Sequence, residues 1–280
     1  MIAEFERFGK IVKLDPFLAN KLDHLAKRIS KDHDNVIMID GMEGTGKSTG
    51  MAFPIAWYIS GEFDVVFTPE QFEKAFDKAK PGTTIVWDEF VLAGLSTQAL
   101  SKMQEVVIKK LTTGRKKNLN LVLVVPNYFM FRDYFSCHRS LILLHTYSPD
   151  FLTRGYYAYY DYNTKQYMYH KYKKVKIHNI SRANHRGNFV ATPKGYYIDE
   201  KYYQDKKDEA ILQIGKDKEK KPNKIQNKYK EIILKDFSKK RDVGFTDKDI
   251  VKAYDDIFDY YFVTNMFKWG KNINNSSSNT

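Results

Sequence analysis

Sulfur chemistry is almost absent from this chain. One cysteine, Cys137, stands among 280 residues, which excludes an internal disulfide and any multi-thiolate metal site. His138, His145, His170, His178 and His185 show no metal-ligand spacing with acidic or cysteine partners, so no zinc site is expected. Long hydrophobic runs are missing as well. The longest are Met51–Ile59 and Leu121–Pro126, far short of the roughly 20 residues that span a bilayer. The opening MIAEFERFGK carries acidic residues and no apolar stretch of the secretory kind, so no leader and a cytoplasmic location are expected, the host cytoplasm if the chain is viral. A third scarcity is local. Residues 153–195 hold a single acidic side chain against nine basic ones. Residues 1–152 are nearly balanced, with 19 basic and 18 acidic. A block of one sign beside a neutral region is an electrostatic footprint for a polyanion, most often nucleic acid.

With 42% hydrophobic residues there is enough apolar surface for a core. Asp15-Pro16 opens a helix carrying Leu18, Leu22, Leu25 and Ile29 at helical spacing, so residues 1–34 are expected to form a helical extension. From residue 35, short β-branched and leucine runs alternate with amphipathic segments. The runs are Val36–Ile39, Asp64–Phe67, Thr83–Trp87, Leu119–Val125 and Leu141–Leu144, and they predict a five-stranded parallel sheet covered on both faces, an α/β domain over 35–150.

Between the first strand and the next helix, Gly41-Met42-Glu43-Gly44-Thr45-Gly46-Lys47-Ser48 fits G-x-x-x-x-G-K-[ST] at every fixed position, and Thr49 follows. Glycines let the backbone wrap phosphates with its N–H groups inward, and the helix behind adds its positive end. In that pattern Lys47 neutralises the β and γ oxygens of ATP, and Ser48 is a Mg²⁺ ligand. About 40 residues on, Thr84–Trp87 runs into Asp88-Glu89, which resembles the second acidic motif of P-loop ATPases. The resemblance implies that Asp88 holds the metal's water shell and that Glu89 activates the attacking water. Met42–Thr49 is also superficially similar to thymidylate kinases, but the adjacent Glu89 favours hydrolysis over phosphotransfer.

Downstream, Gly114-Arg115-Lys116-Lys117-Asn118 precedes a strand that ends in Pro126-Asn127. Asn127 resembles the polar sensor at the strand tip of RecA-like ATPases; a plain turn residue is the other reading. Arg115 resembles the arginine that DNA-pumping ATPases present to a neighbour's nucleotide, with Arg132 and Arg139 as rivals. Across 35–147 the chain thus resembles the additional-strand class of P-loop ATPases, and within it FtsK–HerA-type, zonula-occludens-toxin-like and viral genome-packaging ATPases. That implies a RecA-like core, ATP and Mg²⁺ as cofactors, a homo-oligomeric ring, DNA as partner, and a portal, capsid or replication protein beside it. Its strand ends in Pro-Asn where the FtsK type ends in Thr-Gln.

The rest is read from the residues alone. Thr153–Tyr162 and Gln166–Ile177 flank Asn163-Thr164-Lys165 and are dense in tyrosine, so a basic β-hairpin region is expected over 151–204. Arg154, Lys171, Lys173, Lys174 and Lys176 are its candidate phosphate contacts, and Tyr169 a base-stacking one; a protective edge hairpin is the alternative. Residues 205–227 read as a Lys-rich linker or exposed helix, 228–270 as a small helical module and 271–280 as a disordered tail. Gly244–Val251 has the look of a helix-turn-helix, though a docking bundle suits its local charge as well. The expected activity is ATP hydrolysis coupled to nucleic-acid translocation. Replicative helicase or loader, nucleoside or nucleotide kinase, and ATP-gated DNA-binding regulator are the alternatives.

Overall fold

The computed structural model describes residues 2–88, 97–113, 115–176, 182–217, 224–253, 263 and 265–267. Two units are distinct, 1–215 and 216–280. In the first, β1 (Ala3–Arg7) and β2 (Lys10–Leu14) pair antiparallel. Phe8 and Gly9 between them both take positive φ, 49° and 74°, as a two-residue hairpin turn requires. The N-terminal extension is therefore a hairpin followed by a helix, not a helix alone. Without an Asn-Gly or Asp-Gly pair the turn gave no signal. Next, α1 (Pro16–Ile29) starts where the Asp15 carboxylate accepts the Phe17 N–H, and buries Leu18, Leu22 and Leu25.

The main sheet holds seven strands, correcting the expected five. They are β3 (Asn35–Gly41), β4 (Phe63–Val66), β5 (Thr84–Trp87), β6 (Asn120–Val124), β7 (Ile142–Tyr147), β8 (Tyr156–Tyr160) and β9 (His185–Asn188), in the order β4-β5-β6-β3-β7-β8-β9. The first five in that order run parallel, and β8 and β9 add antiparallel at one edge. Strand β6 lies between β3 and β5, the inserted strand for which the additional-strand class is named.

The two-residue period of the strands divides the core. Ile37 and Ile39 face α1 and α2 (Phe53–Ser60), whereas Val36 and Met38 join the cluster of α3 (Pro69–Lys78) and α4 (Thr97–Thr113). Each such side chain, wholly buried, contributes about 1.5–3 kcal/mol.

The expected hairpin over 153–177 is half helix. Its first arm is β8, but the second is α5 (Tyr162–Val175), capped by the Asp161 carboxylate accepting the Thr164 N–H. Lys165, Met168 and Tyr169 are buried and Tyr172 is partly so, a helical period in residues whose tyrosine content suggested a strand. The expected linker is largely α6 (Glu200–Asp217). In the second unit, α7 (Lys224–Asp242) and α8 (Asp247–Ala253) bury Phe237 and Ile250 with Val263 and Met266, and Arg241 pairs with Asp247. The tail, 271–280, lies outside the described residues.

Candidate functional site

The phosphate-loop motif lies at the end of β3, at the sheet edge where the parallel strands finish. Gly41 closes that strand at φ +136°, so near β7 that a Cβ would stand 2.1 Å from the Thr146 carbonyl oxygen. No other residue fits there. Gly44 and Gly46 take φ of +75° and +95°, turning the backbone into the wide first turn Lys47–Ala52 that leads into α2. Thr45 Oγ1 donates to Met42 O at 2.8 Å and lies 2.7 Å from Thr146 Oγ1, which ties the loop to the sheet. Met42 and Glu43 are exposed at its tip. The Lys47 ammonium spans the loop, donating to Gly41 O and Met42 O at 2.7 Å each.

The acid-bearing strand reaches this loop across β6. Ser48 Oγ donates to Asp88 Oδ1 at 2.7 Å, although 40 residues separate them. Asp88 is fully buried. The donor set fits a nucleotide's phosphates with Mg²⁺: a loop of positive-φ glycines, a lysine charge over it, and a hydroxyl on a carboxylate. Glu89, the expected water activator, lies outside the described residues. Arg115 begins a short turn, Arg115–Lys117, and its side chain lies outside them too.

Asn127 sits at the tip of β6 as expected, but its side-chain oxygen accepts the Phe129 N–H at 2.9 Å, capping the turn Tyr128–Met130. Of the rival arginines, Arg132 pairs with Glu105 and Arg139 with Asp34.

Three side chains at the loop gave no signal in the motifs. Phe189, after β9, lays its ring against the loop helix, where a Cβ on Gly50 would meet it at 2.4 Å. Arg154 comes to the loop from the other side of β8, its guanidinium 3.9 Å from a Cβ placed on Gly44. Tyr203 of α6 donates its hydroxyl to Asp88 Oδ2 at 2.8 Å.

The basic candidates divide. Lys171, Lys173, Lys174 and Lys176 are exposed along and just past α5. Tyr169 is corrected: it is fully buried, its hydroxyl donating to Phe131 O at 2.6 Å, so it presents no ring face to a base. Beside it, Asp133, Cys137 and His170 bring ligand-type atoms within 4.8 Å of one another. Burial holds the Cys137 thiol up at about 12, with Asp133 accepting its hydrogen bond. The Lys165 ammonium donates to the Cys137 carbonyl at 2.8 Å, and a cation there opposes a second one. The trio reads as a packed hydrogen-bond cluster.

No family model matches the chain, and no curated protein does. Among solved structures it is similar to B204, the DNA-packaging ATPase from Sulfolobus turreted icosahedral virus, at 15% identity and a TM-score of 0.33, covering 48% of this chain and 95% of that one. A second is the genome packaging NTPase B204 from Sulfolobus turreted icosahedral virus 2 in complex with ATP-gammaS, at 13% identity and a TM-score of 0.32, covering 47% and 94%. Likeness that slight carries no chemistry across; the site's own geometry does the arguing.

Proposed function

We propose that this chain is an Mg²⁺-dependent ATPase that moves DNA, a viral or mobile-element genome-packaging or translocating motor working as a homo-oligomeric ring. The observation that carries the reading is the 2.7 Å hydrogen bond from Ser48 to Asp88. It joins the phosphate loop and the acid-bearing strand into one site of the right charge and donor type. Lys47 and the loop N–H groups hold the triphosphate, and Ser48 and Asp88 hold the metal, which when bound screens the phosphate charge. Glu89, next along the chain from Asp88, takes a proton from the attacking water. Arg115 serves the neighbouring subunit's nucleotide, where a planar fork bridges spread-out charge. The exposed lysines of α5 supply phosphate contacts to DNA.

The test is ATP turnover by the purified protein with and without single- and double-stranded DNA, with molecular mass measured in parallel. DNA-stimulated hydrolysis by an oligomer is the expected result. Turnover that no nucleic acid alters removes the motor. Transfer of phosphate to a nucleoside by a monomer replaces it with a kinase, and slow turnover with sequence-specific duplex binding replaces it with a regulator.

A further inference from the structure

Asp88 is gripped from two sides. Ser48 of the loop donates to Oδ1, and Tyr203, 115 residues away in the chain, donates to Oδ2. Two hydroxyl donors on opposite oxygens fix both the plane and the tilt of a carboxylate. The Tyr203 ring is itself held: it meets Phe53 at the head of α2 and Phe67 after β4 edge-on, with centroids 5.8 and 5.4 Å away. The helix that carries it is fastened at the next positions. Tyr202 donates to Asp64 at 2.6 Å, Lys206 donates to the Val65 carbonyl at 3.0 Å, and Gln71 donates to the Lys206 carbonyl at 3.0 Å.

A hydroxyl aimed at a buried carboxylate through so rigid a mount does more than fill space. Phenylalanine would pack equally well against Phe53 and Phe67, and only the phenol oxygen needs Asp88. A carboxylate that receives the water shell of a metal ion has to present its oxygens at a set angle, since hydrogen bonds weaken steeply off line. We infer that Tyr203 is a positioning residue that sets the angle of Asp88 for magnesium, and that through it α6 is coupled to occupancy of the phosphate site. The inference rests on the nucleotide-site reading of the loop.

Tyr203→Phe tests it, because the ring and its packing stay and the donor goes. A fluorescent ATP analogue is titrated into wild-type and variant chains, first in EDTA and then at increasing Mg²⁺. The metal-free affinity is expected to agree within about twofold. The Mg²⁺ concentration for half-maximal enhancement is expected to rise about tenfold, the usual scale for losing a charge-assisted hydrogen bond. In the wild type, amide exchange over 200–212 slows when Mg²⁺ and nucleotide bind; in the variant that slowing is lost. Identical Mg²⁺ dependence in the two proteins overturns the inference. Equal weakening with and without Mg²⁺ also overturns it, being what loosened packing alone produces. A wild-type chain that binds the analogue under neither condition overturns the nucleotide site itself, and this inference with it.

Discussion

Replacing Lys165 by methionine is expected to destabilise the protein more at alkaline pH than at neutral pH. Lys165 is fully buried in the first turn of α5. Its ammonium donates to the carbonyls of Ser136 and Cys137 at 2.7 and 2.8 Å. Burial lowers its pKa from 10.5 to about 8, against the pull of Cys137 and Asp161. Below the folded value, lysine carries its proton in the folded and unfolded chains alike, and the whole desolvation penalty is present. Between about 8 and 10.5 the unfolded chain binds the extra proton, so stability rises with pH through that window. Integrated from about pH 7 to about pH 9, the gain is on the order of 1.3 kcal/mol. Buried tyrosines and the Cys137 thiol oppose it. Tyr157 and Tyr160 are raised by burial, and Cys137 to about 12, so the folded state keeps their protons after the unfolded state has lost them. Their terms are common to wild type and variant and cancel in the difference. Urea unfolding of both proteins, followed by tryptophan fluorescence, gives the penalty of Lys165→Met at each pH. A penalty that is constant from pH 7 to 9 would falsify the buried-amine account.

Two further outcomes are expected. Gly41→Ala places a methyl group 2.1 Å from the Thr146 carbonyl at a φ of +136°, and should cost about 3 kcal/mol of unfolding free energy; a urea midpoint like that of wild type rules out the close approach. Changing Lys171, Lys173, Lys174 and Lys176 together to alanine should leave DNA-free ATP turnover unchanged. It should also flatten the log–log salt dependence of DNA binding by about three units, and an unaltered slope removes α5 from the interface.

How far the residues alone reach depends on whether their signal is local. The phosphate loop was legible because its chemistry needs contiguous glycines, a lysine and a serine between a strand and a helix, all of which one window of sequence contains. The parallel core was legible for the same reason, since unbroken apolar runs such as Val36–Ile39 need burial on both faces. Tyr203 shows the opposite case. It meets Asp88 only through the return of α6 onto the sheet, and no local pattern marks a tyrosine 115 residues away as its partner. Thr146 and Phe189 belong with it, as they reach the loop from β7 and from the segment after β9. The second arm of the expected hairpin failed for a different reason. Tyrosine favours strands on average, but that preference mostly reports packing. In Tyr162–Val175 the Asp161 cap and the spacing of Lys165, Met168, Tyr169 and Tyr172 outweigh it.

That same helix explains why one segment looked like a stacking surface for nucleic acid. Its composition mixes tyrosine and lysine, and a strand would have set the two side by side on one exposed face. A helical period separates them. Tyr169 turns into the core with its hydroxyl on Phe131, while Lys171, Lys173 and Lys174 remain in solvent. What is left outside is charge with little aromatic surface, which suits a phosphate backbone better than unstacked bases. Sequence-independent attraction to phosphate is also what a motor requires, since a protein that must advance along DNA is hindered by each base it recognises. The loss of Tyr169 as a base contact therefore strengthens the translocation reading over the sequence-specific regulator, and predicts affinity that falls steeply with salt and varies little with sequence.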